Sequence, residues 1–412
     1  MSGTSLKIAH VVCRFVFEEW GGTESVVWNT VRTQIKLGVS SEIFATSALS
    51  RPGDEIRENV RIRRFPYWYP YFPMTEISSE LMDKKGGNPF VPKLFQALRQ
   101  GKFDLIHIHC GGRMAVMSIL LAHELNIPCV VSLHGGYAAV PPEELRMMMA
   151  PTRGKFHYGG IIDRLMHLRR DPIAEADGVI CISHEEEQLL SKRYPGRRII
   201  YLPNGVNCEE FQHQPDNCSP RREWGIPPER RLVLCISRID YQKNQGVLLN
   251  LLLHDPKCHV LLIGPVTAPW YHKKILDLAE KLNVTDRLTI IPGLAPEDPR
   301  LKAILHEAQM FVMPSVHEPF GIVALEAWAA GIPLLTAWTG GLRDFVTDER
   351  NGLFFDPADP YTLISAYDRL VREKGLAERL SAQAREDVRD YSWKCLTERL
   401  LQFYRDLIRE RA

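Results

Sequence analysis

Val316-His-Glu-Pro-Phe-Gly-Ile-Val-Ala-Leu-Glu326 follows the short apolar run Met310–Pro314 and precedes Gly331 and Pro333. The run predicts a strand. Pro319 and Gly321 predict a turn, and Ile322–Ala330 predicts a helix stopped by Gly331 and Pro333. A strand–glycine turn–helix unit leaves backbone N–H groups free at the helix start, and these favour a phosphate together with the helix dipole. Glu318 stands just before the turn and Glu326 about one turn inside the helix. A carboxylate accepts hydrogen bonds from two hydroxyls of a ribose or a hexose. The pair therefore suits a molecule with sugar, diphosphate and ribose in line. The plainer reading is two surface carboxylates at a helix start, where glutamates are common.

Outward from this stretch the pattern repeats. Arg231–Ser237, His259–Gly264 and Leu288–Pro292 read as further strands, with helices at Gly246–Leu253, Tyr271–Leu282 and Pro299–His306. The first half has strands at Lys7–Cys13, Ser41–Thr46, Leu105–His109, Pro128–Leu133, Gly178–Ser183 and Ile199–Leu202, and helices at Ser25–Leu37 and Met114–Leu125. Continuous apolar strands alternating with helices imply parallel sheets covered on both faces. The expected fold is α/β, with two doubly wound, Rossmann-like domains facing across a cleft. The expected boundaries are 1–205, completed by a C-terminal helix at 392–412, and 206–391, with Pro203–Pro228 as linker. Ligands of such sheets bind at the carboxyl ends of the strands.

Three more segments sit at those ends. Ser237-Arg238-Ile-Asp-Tyr-Gln-Lys243-Asn follows the first strand of the second half. A guanidinium and an ammonium placed together neutralise a diphosphate and stabilise charge on a leaving group. Trp20-Gly21-Gly22-Thr23-Glu24 opens a helix and forms a second turn open to an anion. His134-Gly135-Gly136 follows the strand ending at Leu133; a lone histidine is more often a packing residue. His107 and His109 read as structural or cleft-lining.

Glu318-Pro-Phe-Gly…Leu-Glu326-Ala resembles the two-glutamate signature of the large retaining glycosyltransferase family four, glycosyl transferases group 1, whose members have the GT-B architecture. The resemblance covers nearly the whole chain in layout, with its specific motifs mostly in the second half. It implies that Glu318 contacts the donor sugar, that Glu326 holds the ribose, and that the amides of Gly321, Ile322 and Val323 hold the diphosphate. Arg238 and Lys243 carry over as the charge-neutralising pair, although Ser237 and Asn244 stand where glycines are common. It also implies that Gly21 and Gly22 face the diphosphate and the acceptor, that His134 contacts the sugar near the reacting carbon, and that Gly293 lies near the base. Asn204-Gly-Val-Asn207 resembles the family's Asn-Gly-Val-Asp at the domain junction and reads as linker. Thr339-Gly340-Gly341-Leu-Arg-Asp344 resembles the Gly-Gly turn after the glutamate helix and reads as structural.

The totals restrict the alternatives. A chain of 412 residues with 45% hydrophobic and 25% charged residues is an ordinary globular protein, long enough for about two to three domains. A formal net charge of +1 favours neither nucleic acid nor an acidic partner. No apolar run has the length of a membrane span or of a signal peptide. Nine cysteines without paired spacing read as free, buried thiols of a cytoplasmic protein. No Asp-x-Asp occurs, so no metal and no cofactor are expected beyond a UDP- or GDP-linked nucleotide-sugar co-substrate. In the family the acceptor attacks on the face that the leaving group departs from, and the leaving phosphate takes the proton.

The expected activity is transfer of a hexose or N-acetylhexosamine to a glycan, lipid-linked or small-molecule acceptor, in polysaccharide, glycolipid or small-glycoside biosynthesis. A nucleotide-sugar isomerase or epimerase of the same fold, a carboxylate-pair glycoside hydrolase and a non-catalytic binding subunit are the rival readings. Two anion turns and the Arg238–Lys243 pair argue against the hydrolase, since a neutral glycan needs neither. The segment Val140–Asp171, with Arg146-Met-Met-Met149, Arg153, Lys155, Arg164, Arg169 and Arg170, is either a packed element with solvated charges or a weak peripheral contact with the inner face of an acidic membrane.

Overall fold

The computed structural model describes residues 6–18, 21–85, 87–135, 152–295 and 297–411. Trp20, Gly136 and the methionine run Met147–Met149 lie outside the described residues. The chain divides into two compact units, residues 1–203 with 396–412, and residues 204–395.

The first unit holds β1 (Lys7–Val12), β2 (Ser40–Thr46), β3 (Gly53–Arg57), β4 (Val60–Phe65), β5 (Tyr71–Phe72), β6 (Leu105–Ile108), β7 (Cys129–Ser132), β8 (Phe156–His157), β9 (Gly178–Cys181) and β10 (Arg198–Tyr201). Eight of them form one sheet in the order β10-β9-β7-β6-β1-β2-β4-β3, while β5 and β8 make a separate two-stranded piece. All pairs in the large sheet are parallel except β3 with β4. The expected parallel sheet thus carries one antiparallel edge strand. Gly53-Asp-Glu-Ile-Arg57 is polar and mostly exposed, so its strand comes from pairing with β4 rather than from burial.

The central strands form because their residues are apolar on both faces. Ile8, Ala9, Val11, Ile106, Ile108, Val130 and Val179 are all buried. One face is covered by the C-terminal helix Trp393–Arg411, whose Leu400, Phe403, Tyr404 and Leu407 pack with Ile8, Leu105, Val130 and Ile180. The first unit is therefore built from both ends of the chain.

The second unit holds β11 (Arg231–Ile236), β12 (Cys258–Ile263), β13 (Leu288–Ile291), β14 (Met310–Met313), β15 (Leu334–Ala337) and β16 (Leu353–Phe355). They form a parallel sheet in the order β13-β12-β11-β14-β15-β16. From β11 the chain winds one way through β12 and β13, then returns to the other side of β11 with β14. The point of reversal lies between β11 and β14. In doubly wound sheets the ligand crevice opens there, beyond the carboxyl ends of the strands. The same reversal lies between β1 and β6 in the first unit.

The expected linker Pro203–Pro228 is a misreading. The units part at Pro203, and the residues beyond are packed into the second unit. Asn204-Gly-Val-Asn207 is docked there: Val206 N–H bonds the Tyr391 carbonyl at 2.9 Å, and Trp393 N–H bonds the Val206 carbonyl at 3.2 Å. A Cβ on Gly205 would lie 2.8 Å from the Trp393 ring, so the glycine admits the indole. Polar composition suggested a loop, whereas side-chain and backbone contacts hold the segment.

Candidate functional site

The Arg238–Lys243 segment follows β11 and the two-glutamate segment follows β14, the two strands at the reversal of the second unit. The turn after β14 leads into the helix Ile322–Ala330, which starts at Gly321 and stops at Gly331. Gly321 has φ of +93°, and a Cβ there would lie 2.8 Å from Leu342 Cδ2 and 3.1 Å from Met313 Cε. Both conformation and space demand glycine. No side chain caps this helix start, so the first amides, at Ile322 and Val323, are left to a ligand or solvent. Backbone groups in this arrangement bind phosphates.

Glu318 is only 7% exposed. Its Oε2 accepts a hydrogen bond from Lys243 Nζ at 2.7 Å and from Ser315 Oγ at 3.1 Å. The two loops are also joined through the backbone, Val316 N–H to the Gln242 carbonyl at 2.9 Å. Lys243 is placed by Asp240, whose carboxylate accepts from Gln242 N–H and from Thr267 Oγ1, each at 3.0 Å. Asn244 takes the left-handed conformation at φ of +52°. Asparagine tolerates that region better than most residues, which explains how it stands in place of glycine. Arg238 is exposed and has no ion pair among the described residues. It is an exposed cation in the same loop as the paired Lys243.

The Gly340–Gly341 turn buttresses Glu318. Gly341 N–H bonds the Glu318 carbonyl at 3.0 Å, and a Cβ on Gly340 would come within 1.8 Å of the same oxygen. The sequence marked this turn as structural, and its contacts hold the backbone at Glu318. Gly264 and Gly293 end the neighbouring strands with φ of +153° and +125°. A Cβ on Gly264 would meet the Ser237 carbonyl at 2.0 Å, and one on Gly293 would meet Pro265 at 3.5 Å. The carboxyl ends of β11, β12 and β13 thus converge.

Glu326 is half-buried within the helix. Burial pushes its carboxyl up to about 7, Glu210 adds to the rise, and Lys302 opposes it. Its charged neighbours are these two, paired with each other at 2.8 Å. Glu318 and Glu326 therefore have different surroundings, one ion-paired and one with its pKa raised by burial.

In the first unit Gly21 and Gly22 open the helix Gly22–Lys36. A Cβ on Gly22 would meet nothing within 4 Å, so open space lies there. The first turn already carries Glu24, buried and bonded by Arg14 Nε at 3.2 Å. His134 follows β7 and is bonded through Nε2 to His109 Nδ1 at 3.1 Å. Burial lowers its pKa to about 4, so it is neutral at physiological pH. His107 and His109 are buried, at 2% and 6% exposure. Sequence reading gave no role to Gln34, His10, Ser315 or Asp240. A His-x-His pair on one strand was the visible signal for the buried cluster.

Two doubly wound sheets, with glycine-opened helices at their points of reversal, define the GT-B class of glycosyltransferases. The family models described as "Glycosyltransferase Family 4" and "Glycosyl transferases group 1" match residues 20–210 and 219–387. An uncharacterised glycosyltransferase of Methanocaldococcus jannaschii is 30% identical over 354 residues, covering 82% of this chain and 83% of that one. The chain belongs to this glycosyltransferase family. A D-inositol 3-phosphate glycosyltransferase of Xylanimonas cellulosilytica is 26% identical over 405 residues, covering 95% and 93%. Among solved structures, a sucrose-phosphate synthase from Thermosynechococcus elongatus has a TM-score of 0.71 at 22% identity, covering 98% of this chain and all of that one. HepE of Anabaena in complex with UDP-glucose also gives 0.71, at 16% identity, covering 97% of this chain and all of the other.

Proposed function

We propose that this glycosyltransferase is a retaining, metal-independent enzyme that moves a hexose or N-acetylhexosamine from a UDP- or GDP-sugar to an acceptor. The observation that carries this reading is the uncapped helix start at Gly321, flanked by the Glu318–Lys243 pair and by exposed Arg238 at the same reversal point. The amides of Gly321, Ile322 and Val323 hold the diphosphate. Arg238 and Lys243 neutralise it and stabilise the charge that grows on the leaving phosphate. Glu318 grips the sugar hydroxyls through the lone pairs left by Lys243 and Ser315. Glu326 accepts from the ribose hydroxyls. From the first unit, Gly21 and Gly22 serve the diphosphate and acceptor, His134 the sugar, and Gly293 of the second unit lies near the base.

The acceptor attacks on the leaving-group side, and the leaving phosphate takes its proton. No protein base is required, and catalysis is positioning plus charge stabilisation. A Glu318 fixed by a lysine and a serine is poorly suited to the free nucleophile of a glycosidase. An isomerase or epimerase of the same fold would act on the donor without an acceptor.

A UDP-glucose complex of one relative in fold supports testing uridine donors first. Several relatives in sequence are named as D-inositol 3-phosphate glycosyltransferases, so a cyclitol phosphate is the first acceptor to try. The test is release of nucleoside diphosphate with each donor, with the product's anomeric proton read by NMR. Acceptor-dependent release with the donor's anomeric configuration kept is expected. Inversion, or sugar conversion without acceptor, would reject this reading.

A further inference from the structure

The first unit contains a cluster of four imidazoles, of which only His134 has a part in the proposed donor site. β1, β6 and β7 are neighbours, and His10 is the direct register partner of His107. His107 and His109 are two residues apart and share a face. His134 comes in from the turn after β7.

Three of these rings form a single file that begins at Gln34, a residue with no exposed surface. Gln34 Oε1 accepts from Ser41 Oγ at 2.7 Å and lies 2.8 Å from His10 Nε2. His10 Nδ1 lies 3.0 Å from His109 Nε2. His109 Nδ1 lies 3.1 Å from His134 Nε2. A neutral imidazole has one N–H and one lone pair. A carbonyl oxygen only accepts, so His10 donates from Nε2 and keeps its lone pair on Nδ1. His109 must then donate from Nε2 and accept at Nδ1. His134 must donate from Nε2, and its Nδ1 is left with a lone pair.

We propose that Gln34, His10 and His109 are positioning residues that hold His134 in its Nε2–H tautomer, so that His134 meets its ligand as a hydrogen-bond acceptor through Nδ1. The ligand class is a hydroxyl donor, such as a sugar hydroxyl; this consequence rests on the reading of His134 as a sugar contact. The chain works only with neutral His10 and His109, because a second N–H on either would face another N–H, and His134 accepts through Nδ1 only while it too is neutral. Burial supplies that condition, lowering His10 and His134 to about 4. His107 stands beside the file, bonded to the Tyr404 hydroxyl at 2.5 Å and to Ser132 Oγ at 2.6 Å. His10, His107 and His109 also have ring nitrogens close enough together for a metal ion. Every one of those nitrogens already has a protein hydrogen-bond partner, which favours the hydrogen-bonded reading. The direction is set at Gln34: with its amide turned over, every bond would reverse and His134 would present Nδ1–H.

The test is a long-range proton–nitrogen NMR correlation on histidine-labelled full-length protein at pH 7, with His134→Gln identifying the His134 signals. The expected spectrum has hydrogen on Nε2 and a bare Nδ1. An Nδ1–H tautomer, a mixture or an imidazolium would overturn the proposal. His109→Leu and Gln34→Met should each turn His134 into a mixture of tautomers and lower kcat/KM for the donor about tenfold, the scale of one lost hydrogen bond. A pure Nε2–H tautomer surviving in the folded variants would also overturn it. If His109→Leu does not fold, the wild-type spectrum and Gln34→Met decide. A correct tautomer combined with full activity of His134→Ala would reject the sugar contact and leave the hydrogen-bond chain standing.

Discussion

Lys243 and Glu318 meet at 2.7 Å with little solvent around either, at 13% and 9% side-chain exposure. Removing one member of such a pair leaves the other's charge poorly compensated. Lys243→Met is expected to destabilise the fold by about 3 kcal/mol, the usual scale for breaking a buried pair. The double variant Lys243→Met/Glu318→Gln should recover part of that loss. Chemical denaturation of the singles and the double measures the coupling, and additive losses would show that the pair contributes nothing beyond its separate members. Turnover should fall in all three.

Glu326 titrates near 7, and the sign of its effect follows from linkage. The folded protein holds this proton more tightly than the unfolded chain. Its contribution to stability is therefore greatest below the ordinary carboxyl range and declines as pH rises through about 7. Glu326→Gln should flatten that decline in thermal unfolding curves taken from pH 5 to pH 8. A ribose gripped by the carboxylate should bind better as the group ionises, so donor affinity should rise across the same range in the wild type alone. Glu326→Ala should weaken nucleotide binding at least tenfold, as expected for loss of a charge-assisted hydrogen bond, while Glu318→Ala acts mainly on turnover.

At the scale of elements, the turns hold the site. Gly321→Ala would force a methyl into a left-handed position 2.8 Å from Leu342. A loss of about 1–3 kcal/mol is expected, with weaker nucleotide binding because the helix start shifts. Gly340→Ala would press on the Glu318 carbonyl and should lower turnover while leaving the β1–β6 region of the first unit intact. Paired unfolding and kinetic measurements separate the two effects. The helix Ile322–Ala330 was legible to the residue, because Gly321 and Gly331 both adopt positive φ and mark its ends. Most central strands were legible within a residue or two, since their apolar runs are buried on both faces.

Other elements left weaker signals. β15 (Leu334–Ala337) and β16 (Leu353–Phe355) were not read from the sequence. Gly53–Arg57 lacks an apolar face. His10 and Gln34 are 24 residues apart and meet only because a helix packs on the strand beside them. Sequence spacing carries no trace of that. The segment around Phe156, Ile161, Leu165 and Met166 exposes its apolar side chains, with Lys155 and Arg164 nearby in sequence. Weak, salt-sensitive flotation with acidic liposomes is expected, and salt-resistant binding would mark a stronger membrane anchor.

Across the whole molecule, both units repeat one plan: a doubly wound sheet whose point of reversal is followed by a glycine-opened helix. The C-terminal helix returns to the first unit, where Tyr404 reaches His107. No helix among the described residues is long and apolar enough to cross a membrane. Nucleotide sits at the centre of this reading, since the Gly321 helix start, Arg238, Lys243 and Glu326 all act on the donor. Calorimetric titration of the full chain with uridine and guanosine diphosphates tests it most directly. One of the two should bind and stabilise the fold, by about 2.7 kcal/mol at a hundredfold excess over Kd, with binding weakened in Glu326→Ala. Failure of every nucleoside diphosphate to bind the folded wild-type protein would contradict it.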